Sequence, residues 1–293
     1  MRATALVIVA LLVFAGCGTD GGSEASHRLQ VVTTVSPLTS IVANIAGPDA
    51  EVSGLVPEGA NSHTFDPPPS AARLLSRADL IFANGLKLED PVANLARDSK
   101  PDGTPIVSLG DRTLPRDQYI YDFSFPRAGG KPNPHLWTSP VRARKYAEEI
   151  RDALTSADPE HRAGYKRRFA RYAARLDDLD RSLREATATV APARRRLLTY
   201  HDAYAYFAVD YGWTVEGAIQ VSDFSDPTPR EVAALIQQVR QLGVPAIFGS
   251  EVFPSPVLEQ IGREAGVRYV DELRDDDLPG RPGDPEHTYL ALM

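Results

Sequence analysis

Cysteine is almost absent from this chain of 293 residues, which contains only Cys17. An intrachain disulfide is therefore impossible, and a structural role for this thiol is not expected. Long apolar runs are also scarce: after Cys17, none approaches the ~20 residues that a membrane-spanning helix needs. No basic patch dominates the sequence, and its formal net charge is -7. This balance argues against nucleic acid as a partner.

The one long apolar run, Ala3 to Ala15, lies at the start of the chain. It predicts a signal peptide over residues 1–16, because it is too short to form a stable membrane-spanning helix. The run is followed by Gly16-Cys17 and resembles a bacterial lipobox, in which the cysteine becomes the lipidated first residue of the mature protein. Phe14 stands where such motifs usually have Leu, Val or Ile, so a plain secretory signal is the alternative. We therefore expect an extracytoplasmic protein, anchored to the cell membrane through lipid on its single cysteine.

The rest of the chain divides into four segments. Residues 17–27 are rich in glycine and serine and lack apolar periodicity, which predicts a flexible tether. The mature chain is long enough to bury a full core and allows two domains. We expect an N-terminal lobe over residues 28–157, a connecting helix over residues 158–191 and a C-terminal lobe over residues 192–293.

Short apolar segments alternate with helical stretches on both sides of the connecting helix. The predicted strands are Leu29–Val35, Val52–Val56, Leu80–Ala83 and Ile106–Leu109, then Arg195–Thr199, Thr214–Ile219, Ala246–Phe248 and Arg268–Val270. Strands separated by helices indicate a parallel sheet with helical crossovers. The predicted fold class is therefore α/β, with two parallel-sheet lobes joined by one long rigid helix and a cleft between the lobes.

The connecting helix is predicted from a regular apolar pattern between Asp158 and Val190. Its apolar residues recur at steps of three and four, which places them on one helical face: Tyr165, Phe169, Tyr172, Leu176, Leu179, Leu183, Ala186 and Val190. Asp158-Pro159-Glu160 is a helix start signal. Such a helix would span roughly 50 Å and act as a rigid strut between the lobes. A coiled-coil dimerisation arm is the alternative.

Three histidines and one aspartate stand beside predicted strands or helices. His63 follows the second strand, His135 precedes a helix, His201 comes just after a strand, and Asp271 directly follows the last strand. Open α/β sheets bind ligands at such positions. Four candidate ligands, two from each lobe, therefore predict a metal site. The remaining histidines are assigned to solvent: His27, His161 and His287.

These positions belong to longer motifs that resemble one family. The motifs are Val31-Val32-Thr33-Thr34-Val35-Ser36-Pro37-Leu38, the His63 loop ending in Asp66-Pro67, Pro134-His135-Leu136-Trp137, His201-Asp202-Ala203-Tyr204, Glu251 after a strand, and Tyr269-Val270-Asp271. With the lipobox and the long helix, they resemble the metal-binding solute-binding lipoproteins of ABC transporters for zinc and manganese, the cluster A-I group. The resemblance covers nearly the whole chain.

This resemblance implies a fold, a cargo and partners. The fold would be two α/β lobes joined by a rigid helix, with a metal ion in the cleft. The ligands carried over by position are His63, His135, His201 and Asp271. The protein would be a monomer that captures a divalent transition metal and delivers it to a membrane permease and its ATPase for uptake.

The third ligand bears on the choice of metal. Manganese-type relatives typically place glutamate where this chain has His201, which gives two imidazoles and two carboxylates. Three imidazoles and one carboxylate suit zinc better, so we expect zinc as the cargo, with manganese as the alternative. Relatives devoted to zinc often carry a His-rich insertion before the second histidine, but residues 117–134 contain no histidine. Family chains also usually continue beyond Met293 into a final helix, so either the sequence is truncated or the second lobe is built without it.

Two other classes of function are weighed against transport. A zinc-dependent hydrolase usually keeps three protein ligands and an open fourth position, whereas four ligands are available here. Glu251 would be its best candidate base. A surface adhesin is the other alternative, but the sequence displays no adhesive motif. We therefore expect a binding protein that is not an enzyme.

Overall fold

The computed structural model describes residues 28–122, 124–219, 227–250, 256–271 and 273–293. The predicted signal peptide and tether therefore lie outside the described residues, together with Cys17, His27 and Glu251. In the part of the chain that is described, no helix has both the length and the apolar composition needed to cross a membrane.

Two four-stranded parallel sheets form the centres of two lobes. The strands are β1 Leu29–Thr33, β2 Ala50–Gly54, β3 Leu80–Ala83, β4 Ile106–Ser108, β5 Arg196–Thr199, β6 Thr214–Ala218, β7 Ala246–Phe248 and β8 Arg268–Val270. Their order is β2-β1-β3-β4 in the first sheet and β6-β5-β7-β8 in the second, so the two lobes repeat one topology. The prediction of two parallel-sheet α/β lobes is confirmed.

Most of the helices are crossovers that connect consecutive strands of one sheet. The helices are α1 Ser36–Ala46, α2 Pro69–Leu75, α3 Asp90–Ser99, α4 Leu109–Thr113, α5 Pro140–Ala157, α6 Arg162–Ala188, α7 Ala205–Tyr211, α8 Pro229–Leu242, α9 Pro256–Ala265 and α10 Tyr289–Leu292. Proline occupies the first turn of α1, α2, α3, α5 and α8. There its fixed φ suits a helix and its missing N–H costs nothing. In α8, Thr228 and Glu231 complete a capping box.

The main hydrophobic core lies in the first lobe. All four residues of β3 are buried, as expected of a parallel strand covered by helices on both faces. Helices α1 and α5 supply further fully buried side chains, among them Ile41 and Tyr146. The second lobe has a smaller core around Leu198, Ile247 and Ile261.

The long helix is shorter than the sequence predicts. It begins at Arg162 rather than Asp158, and its 27 residues span roughly 40 Å. The predicted start fails because residues 159–161 form a turn. The Asp158 carboxylate accepts hydrogen bonds from the His161 ring at 2.6 Å and the Tyr165 hydroxyl at 2.7 Å, so it ties this turn to the first turn of the helix.

The apolar face of α6 is attached mainly to the first lobe. Tyr165, Tyr172 and Leu176 are buried in that lobe's core, where α6 packs on α1 and α5. Ala186, near the far end, is exposed. The helix contacts the second lobe there, where the Tyr211 hydroxyl donates to Asp180 at 2.8 Å. The strut is therefore anchored along one lobe and reaches the other at its end.

The end of the chain returns to the first lobe. Tyr289 is fully buried there, and its backbone N–H donates to the Ser40 hydroxyl at 2.9 Å. The sequence assigns His287 to solvent, and this prediction is wrong. The side chain is partly buried, and its Nε2 lies 3.1 Å from a carboxylate oxygen of Glu58. The residues after β8 thus connect the lobes a second time.

Truncation of Leu176 should destabilise the protein strongly, because its side chain is only 1% exposed. Leu176→Ala is expected to lower the free energy of unfolding by about 2–5 kcal/mol, as buried leucine truncations do. Urea denaturation at neutral pH measures this loss. Leu179→Ala, one turn further along at a half-buried position, is the control and should cost less than half as much. Equal losses would contradict the packing described for α6.

Candidate metal centre

Three imidazole rings from both lobes converge on one point. His135 Nε2 lies 3.1 Å from His63 Nε2 and 2.9 Å from His201 Nε2. His135 and His201 are buried, and His63 is partly exposed. Among the described residues, these three form the one group of three or more His, Cys, Asp or Glu side chains whose ligand atoms all lie within 4.8 Å of one another. Such a set of imidazole nitrogens can hold a divalent transition metal ion.

His63 is held by the loop that follows β2. The loop leaves the sheet after the N–H groups of Leu55 and Val56 have bonded to the carbonyls of Thr33 and Thr34. The His63 N–H then donates to the Asn61 side chain at 2.9 Å. The ring stacks on Phe125, with centroids 5.7 Å apart and an interplanar angle of 30°. The stacking with Phe125 holds one face of the ring, and the hydrogen bond to Asn61 holds the backbone of His63.

The tail of the chain holds the same loop from outside. The Gly59 N–H donates to the Asp277 carboxylate at 2.5 Å, next to the pairing of Glu58 with His287. Gly59 has φ +76°, a left-handed conformation that glycine adopts without strain. The loop that carries the first ligand is therefore fixed between the first sheet and the returning tail.

His135 is oriented by a buried asparagine two residues before it. Asn133 Oδ1 lies 2.8 Å from His135 Nδ1 and accepts the His135 backbone N–H at 3.1 Å. An amide oxygen accepts a hydrogen bond, so the proton of the neutral ring sits on Nδ1. The lone pair of Nε2 then faces the other two imidazoles. This outer contact fixes both the tautomer and the direction of the ring.

The same asparagine joins the two lobes. Its amide nitrogen donates to the Asp202 carbonyl at 2.8 Å and to the Asp122 carboxylate at 2.9 Å. Asp202 follows His201, which stands just beyond the end of β5. Both amide hydrogens and the amide oxygen of Asn133 are thus used, and the second-lobe ligand is tied to the first-lobe ligand through one side chain.

Further contacts between the lobes surround this point. Thr138 donates through its hydroxyl to the Ala203 carbonyl at 2.9 Å. Arg142 pairs with Asp210 through two nitrogens, at 2.8 and 3.0 Å, and its guanidinium lies over the ring of Tyr206. Such a bidentate pair holds the guanidinium and the carboxylate in one defined orientation. The interface beside the histidines is therefore polar and closely fitted.

Burial lowers the pKa of both first-lobe histidines. The pKa of His63 lies well below its ordinary value because of burial, then because of His201 and Lys131 nearby. The pKa of His135 is also well below its ordinary value, through burial and the two neighbouring imidazoles. Both rings are therefore neutral near pH 7, as a metal ligand must be.

Two carboxyl groups lie together beside the site. Burial raises the pKa of Asp122, and burial together with the nearby Asp122 carboxyl raises the pKa of Asp202 well above its ordinary value. Two close carboxylates cannot both ionise without repulsion. Less negative charge therefore stands beside the imidazoles than the count of acidic residues suggests.

A second buried network supports the His135 loop from the first sheet. Glu89 Oε1 accepts hydrogen bonds from the Thr34 hydroxyl at 2.8 Å and the Asn84 N–H at 2.7 Å. The Asn84 amide donates to the Pro134 carbonyl at 3.0 Å and accepts from the Tyr146 hydroxyl at 2.8 Å. Burial raises the pKa of Glu89 to about 7. The network therefore links the ends of β1 and β3 to the peptide that precedes His135.

The structure brings together three of the four predicted ligands. Asp271 directly follows β8, as the sequence predicts, but it is exposed and lies outside the group of three histidines. Its role as a ligand stays a prediction. His161 is exposed and bonds to Asp158.

Sequence reasoning missed the residues that orient the histidines. Asn133 stands two residues before His135, a spacing at which a short side chain can reach the ring, and that signal was available. Asp122 had no such signal, because it lies in a stretch without periodicity. The role of Glu89 depends on contacts with β1 and β3 that only the folded sheet provides.

Two parallel α/β lobes with three imidazoles at their junction define a two-lobed metal-binding protein. The chain belongs to the family described as zinc-uptake complex component A, periplasmic, whose model matches residues 31–293. Members of this family are solute-binding transport proteins, not enzymes. The chain is accordingly the substrate-binding protein of a metal ABC transporter, and the zinc-hydrolase alternative finds no support in the family.

Relatives in this family are named for several metals. The chain is 31% identical to the iron-binding protein YfeA of Yersinia pestis, over all of this chain and 93% of the relative. It is 28% identical to the manganese-binding lipoprotein MntA of Halalkalibacterium halodurans, covering 98% of this chain and 93% of the relative. The structure matches the periplasmic zinc-binding protein TroA from Treponema pallidum with a TM-score of 0.79 and 26% identity, over 90% and 95% of the chains. Family membership therefore does not determine which metal this chain binds.

Loss of the Asn133 side chain should weaken metal binding. Asn133→Ala removes the contact that orients His135 and is expected to lower zinc affinity about 10–100-fold, the usual cost of losing such a contact. A competition titration against a zinc-sensitive dye measures the change. Asn44→Ala is the control, since Asn44 bonds only within α1, to the Ser40 carbonyl at 2.9 Å. Wild-type affinity in Asn133→Ala would mean that another group orients the ring.

The raised pKa of Glu89 predicts a pH-dependent stability. The folded protein holds this proton up to about pH 7, whereas the ordinary value for the group is 4.5. The folded form is therefore favoured below pH 4.5, and this contribution is lost as the pH rises towards 7. The loss amounts to about 3–4 kcal/mol at about 1.4 kcal/mol per pKa unit.

The measurement compares urea denaturation of the metal-free wild type and Glu89→Gln at pH 5 and pH 8. Glutamine cannot ionise, so only the wild type should lose stability between pH 5 and pH 8 through this group. The free energy of unfolding of the wild type minus that of Glu89→Gln should therefore be larger at pH 5 than at pH 8. Glu185→Gln, at an exposed position on α6, should show no such change. A constant difference between wild type and Glu89→Gln would refute the raised pKa.

Proposed function

We propose that this protein captures a zinc ion outside the cytoplasm and delivers it to an ABC-type membrane permease and its ATPase. The observation that carries the proposal is the convergence of three imidazole nitrogens at the junction of the lobes. Imidazole is a ligand that suits zinc, whereas manganese prefers carboxylate and carbonyl oxygens. A site in which nitrogen outnumbers oxygen therefore favours zinc, and manganese is the alternative cargo.

Asp271 is proposed as the fourth ligand. It stands at the carboxyl end of β8, beside β7, whose following Gly249 N–H donates to the Val270 carbonyl at 2.7 Å. The exposed carboxylate would complete a tetrahedral shell if the end of β8 moved towards the histidines when the metal binds. Three neutral imidazoles and one carboxylate would carry a single negative charge, so a bound divalent ion would leave the site with a net positive charge.

Anchoring through Cys17 completes the proposal. The relatives from Halalkalibacterium halodurans and Streptococcus pneumoniae are named as metal-binding or substrate-binding lipoproteins. An acyl chain on this cysteine would hold a monomeric protein at the outer face of the cell membrane, near its permease. The segments proposed for the mature chain are the tether 17–27, the lobes 28–157 and 192–293, and a connecting segment 158–191 that contains α6.

Substitution of single ligands tests the site. His63→Ala, His135→Ala and His201→Ala should each lower zinc affinity by at least 100-fold, because each removes one of the converging nitrogens. Asp271→Ala should lower it less, since the imidazoles remain. Isothermal titration with zinc under chelator competition measures all four. His161→Ala is the matched control, because His161 is exposed, pairs with Asp158 and lies outside the group of three histidines. Unchanged affinity in any of the three imidazole variants would overturn the ligand set.

Selectivity is tested at one position. His201→Glu replaces the second-lobe nitrogen by a carboxylate and is expected to shift the ratio of zinc to manganese affinity towards manganese by at least tenfold. Zinc binding should stay measurable, because carboxylate is also a zinc ligand. Direct competition between the two metals, read by metal analysis of the dialysed protein, gives the ratio. An unchanged ratio would show that this residue does not set the preference.

A further inference from the structure

One exposed face of α6 carries only basic residues and alanines over more than two turns. The basic residues, named here the basic face, are Lys166, Arg167, Arg171 and Arg175. Three exposed alanines lie between them: Ala163, Ala170 and Ala174. Residues three and four apart lie side by side on a helix, so Arg167, Arg171 and Arg175 form one continuous strip, with Lys166 at its edge.

The charges of the basic face are not compensated within the described part of the protein. None of its four side chains makes an ion pair or a hydrogen bond there. The acids that follow on α6 are already paired, Asp177 with Arg144 at 2.9 Å and Asp178 with Arg181 at 2.8 Å. Neighbouring like charges repel one another, and together they give the face a positive potential. This face is positive on a chain whose net charge is -7.

The basic face lies near the point where the chain enters the fold. Leu29, the first residue of β1, and His161, just before α6, line one cleft of about 940 Å³. Ten residues separate Cys17 from Arg28. Fully extended, they span at most about 35 Å. The basic face begins just over one turn after His161 and ends about 20 Å along the helix. A lipid on Cys17 would therefore hold this face close to the bilayer.

The chemistry of the face fits lipid headgroups better than a folded partner. Protein interfaces depend on a few buried aromatic or apolar anchors that fill pockets. Between its cations the basic face presents only the methyl groups of alanine. Because alanine is short, the charged ends of the basic side chains project furthest from the helix. A layer of anionic headgroups is a diffuse negative surface that needs no shape complementarity, and it attracts basic residues within about one Debye length.

We propose that the basic face docks on the anionic headgroups of the membrane to which the protein is anchored. This inference rests on the lipid anchor of the proposed function. The contact lays the first half of α6 along the bilayer and gives the tethered protein a preferred orientation. The three histidines stand in loops at the opposite, carboxyl ends of the strands, so docking leaves the metal site accessible.

Vesicle co-sedimentation tests the docking without the lipid anchor. The mature chain with Cys17→Ser, which cannot be acylated, is mixed with neutral phosphatidylcholine vesicles or with vesicles containing 30% phosphatidylglycerol. Each basic residue near an anionic surface strengthens binding roughly fivefold. The anionic vesicles should therefore bind the protein at least tenfold more tightly. Binding should collapse in 0.5 M salt, where the Debye length is only ~4 Å.

Two variants with equal net charge separate the basic face from total charge. Replacing its four residues with glutamine should weaken binding to anionic vesicles to the level seen with neutral vesicles. The control replaces four exposed basic residues elsewhere with glutamine: Arg73, Arg77, Arg116 and Arg230. The control should bind like the parent, and both variants should keep wild-type zinc affinity. Equal losses in the two variants, or no preference of the parent for anionic vesicles, would overturn the proposal.

Two further measurements keep the alternatives apart. Retention on immobilised polyglutamate, with no binding to anionic vesicles, would show that the face recognises an acidic protein segment and would overturn the membrane assignment. Mass spectrometry of the wild-type protein from membranes reports acylation of Cys17 separately. An unmodified Cys17 with intact vesicle binding would refute the anchor alone, whereas an acylated Cys17 without the charge-dependent binding would refute the docking face alone.

Discussion

The central constraint on this structure is that His135 Nε2 faces His63 Nε2 and His201 Nε2 at about 3 Å, with all three nitrogens within 4.8 Å of one another. A neutral imidazole presents either a lone pair or an N–H at each nitrogen, and the Asn133 contact assigns the lone pair of His135 to the shared point. Lone pairs held this close repel unless a proton or a cation lies between them. Burial lowers the pKa of His63 and His135 and so disfavours a second proton on either ring, which leaves the N–H of a neutral neighbouring imidazole as the donor to this lone pair. A cation at the shared point can instead accept the lone pairs of all three rings. The arrangement is therefore built to be completed by a metal ion.

The lobes are held around this point by connections of different kinds. Helix α6 runs along the first lobe and meets the second over its last turns, from Asp180 to Thr187. The tail crosses back after β8 and buries Tyr289 in the first core. Between them, the segment from Asn133 to Arg142 bonds directly to the residues that follow His201. The first two connections fix the lobes at their margins, whereas the third links them at the ligands themselves.

The sequence predicts the sheets well, because buried parallel strands are short apolar runs that need no distant information. The strand Leu80–Ala83 has the predicted limits. The second strand is found two residues earlier than predicted, since its limits follow from pairing with β1, where Ala50 lies opposite Leu29. The histidines could be grouped because carboxyl ends of parallel strands meet at one edge. Asn133 could not be linked to Asp202, 69 residues later, because that contact exists only once the two lobes are packed together.

The contacts around the histidines indicate what a separation of the two lobes would do to the metal site. Of the three histidines, His63 and His135 are carried by the first lobe, so only His201 can withdraw by a movement between lobes. Any such movement also stretches the Asn133 bond to the Asp202 carbonyl, because Asp202 is the next residue in the chain. The tautomer of His135 is set by the other end of the same amide. Separation of the lobes therefore removes one imidazole and loosens the orientation of a second, so affinity should fall more steeply than the loss of one nitrogen would cause.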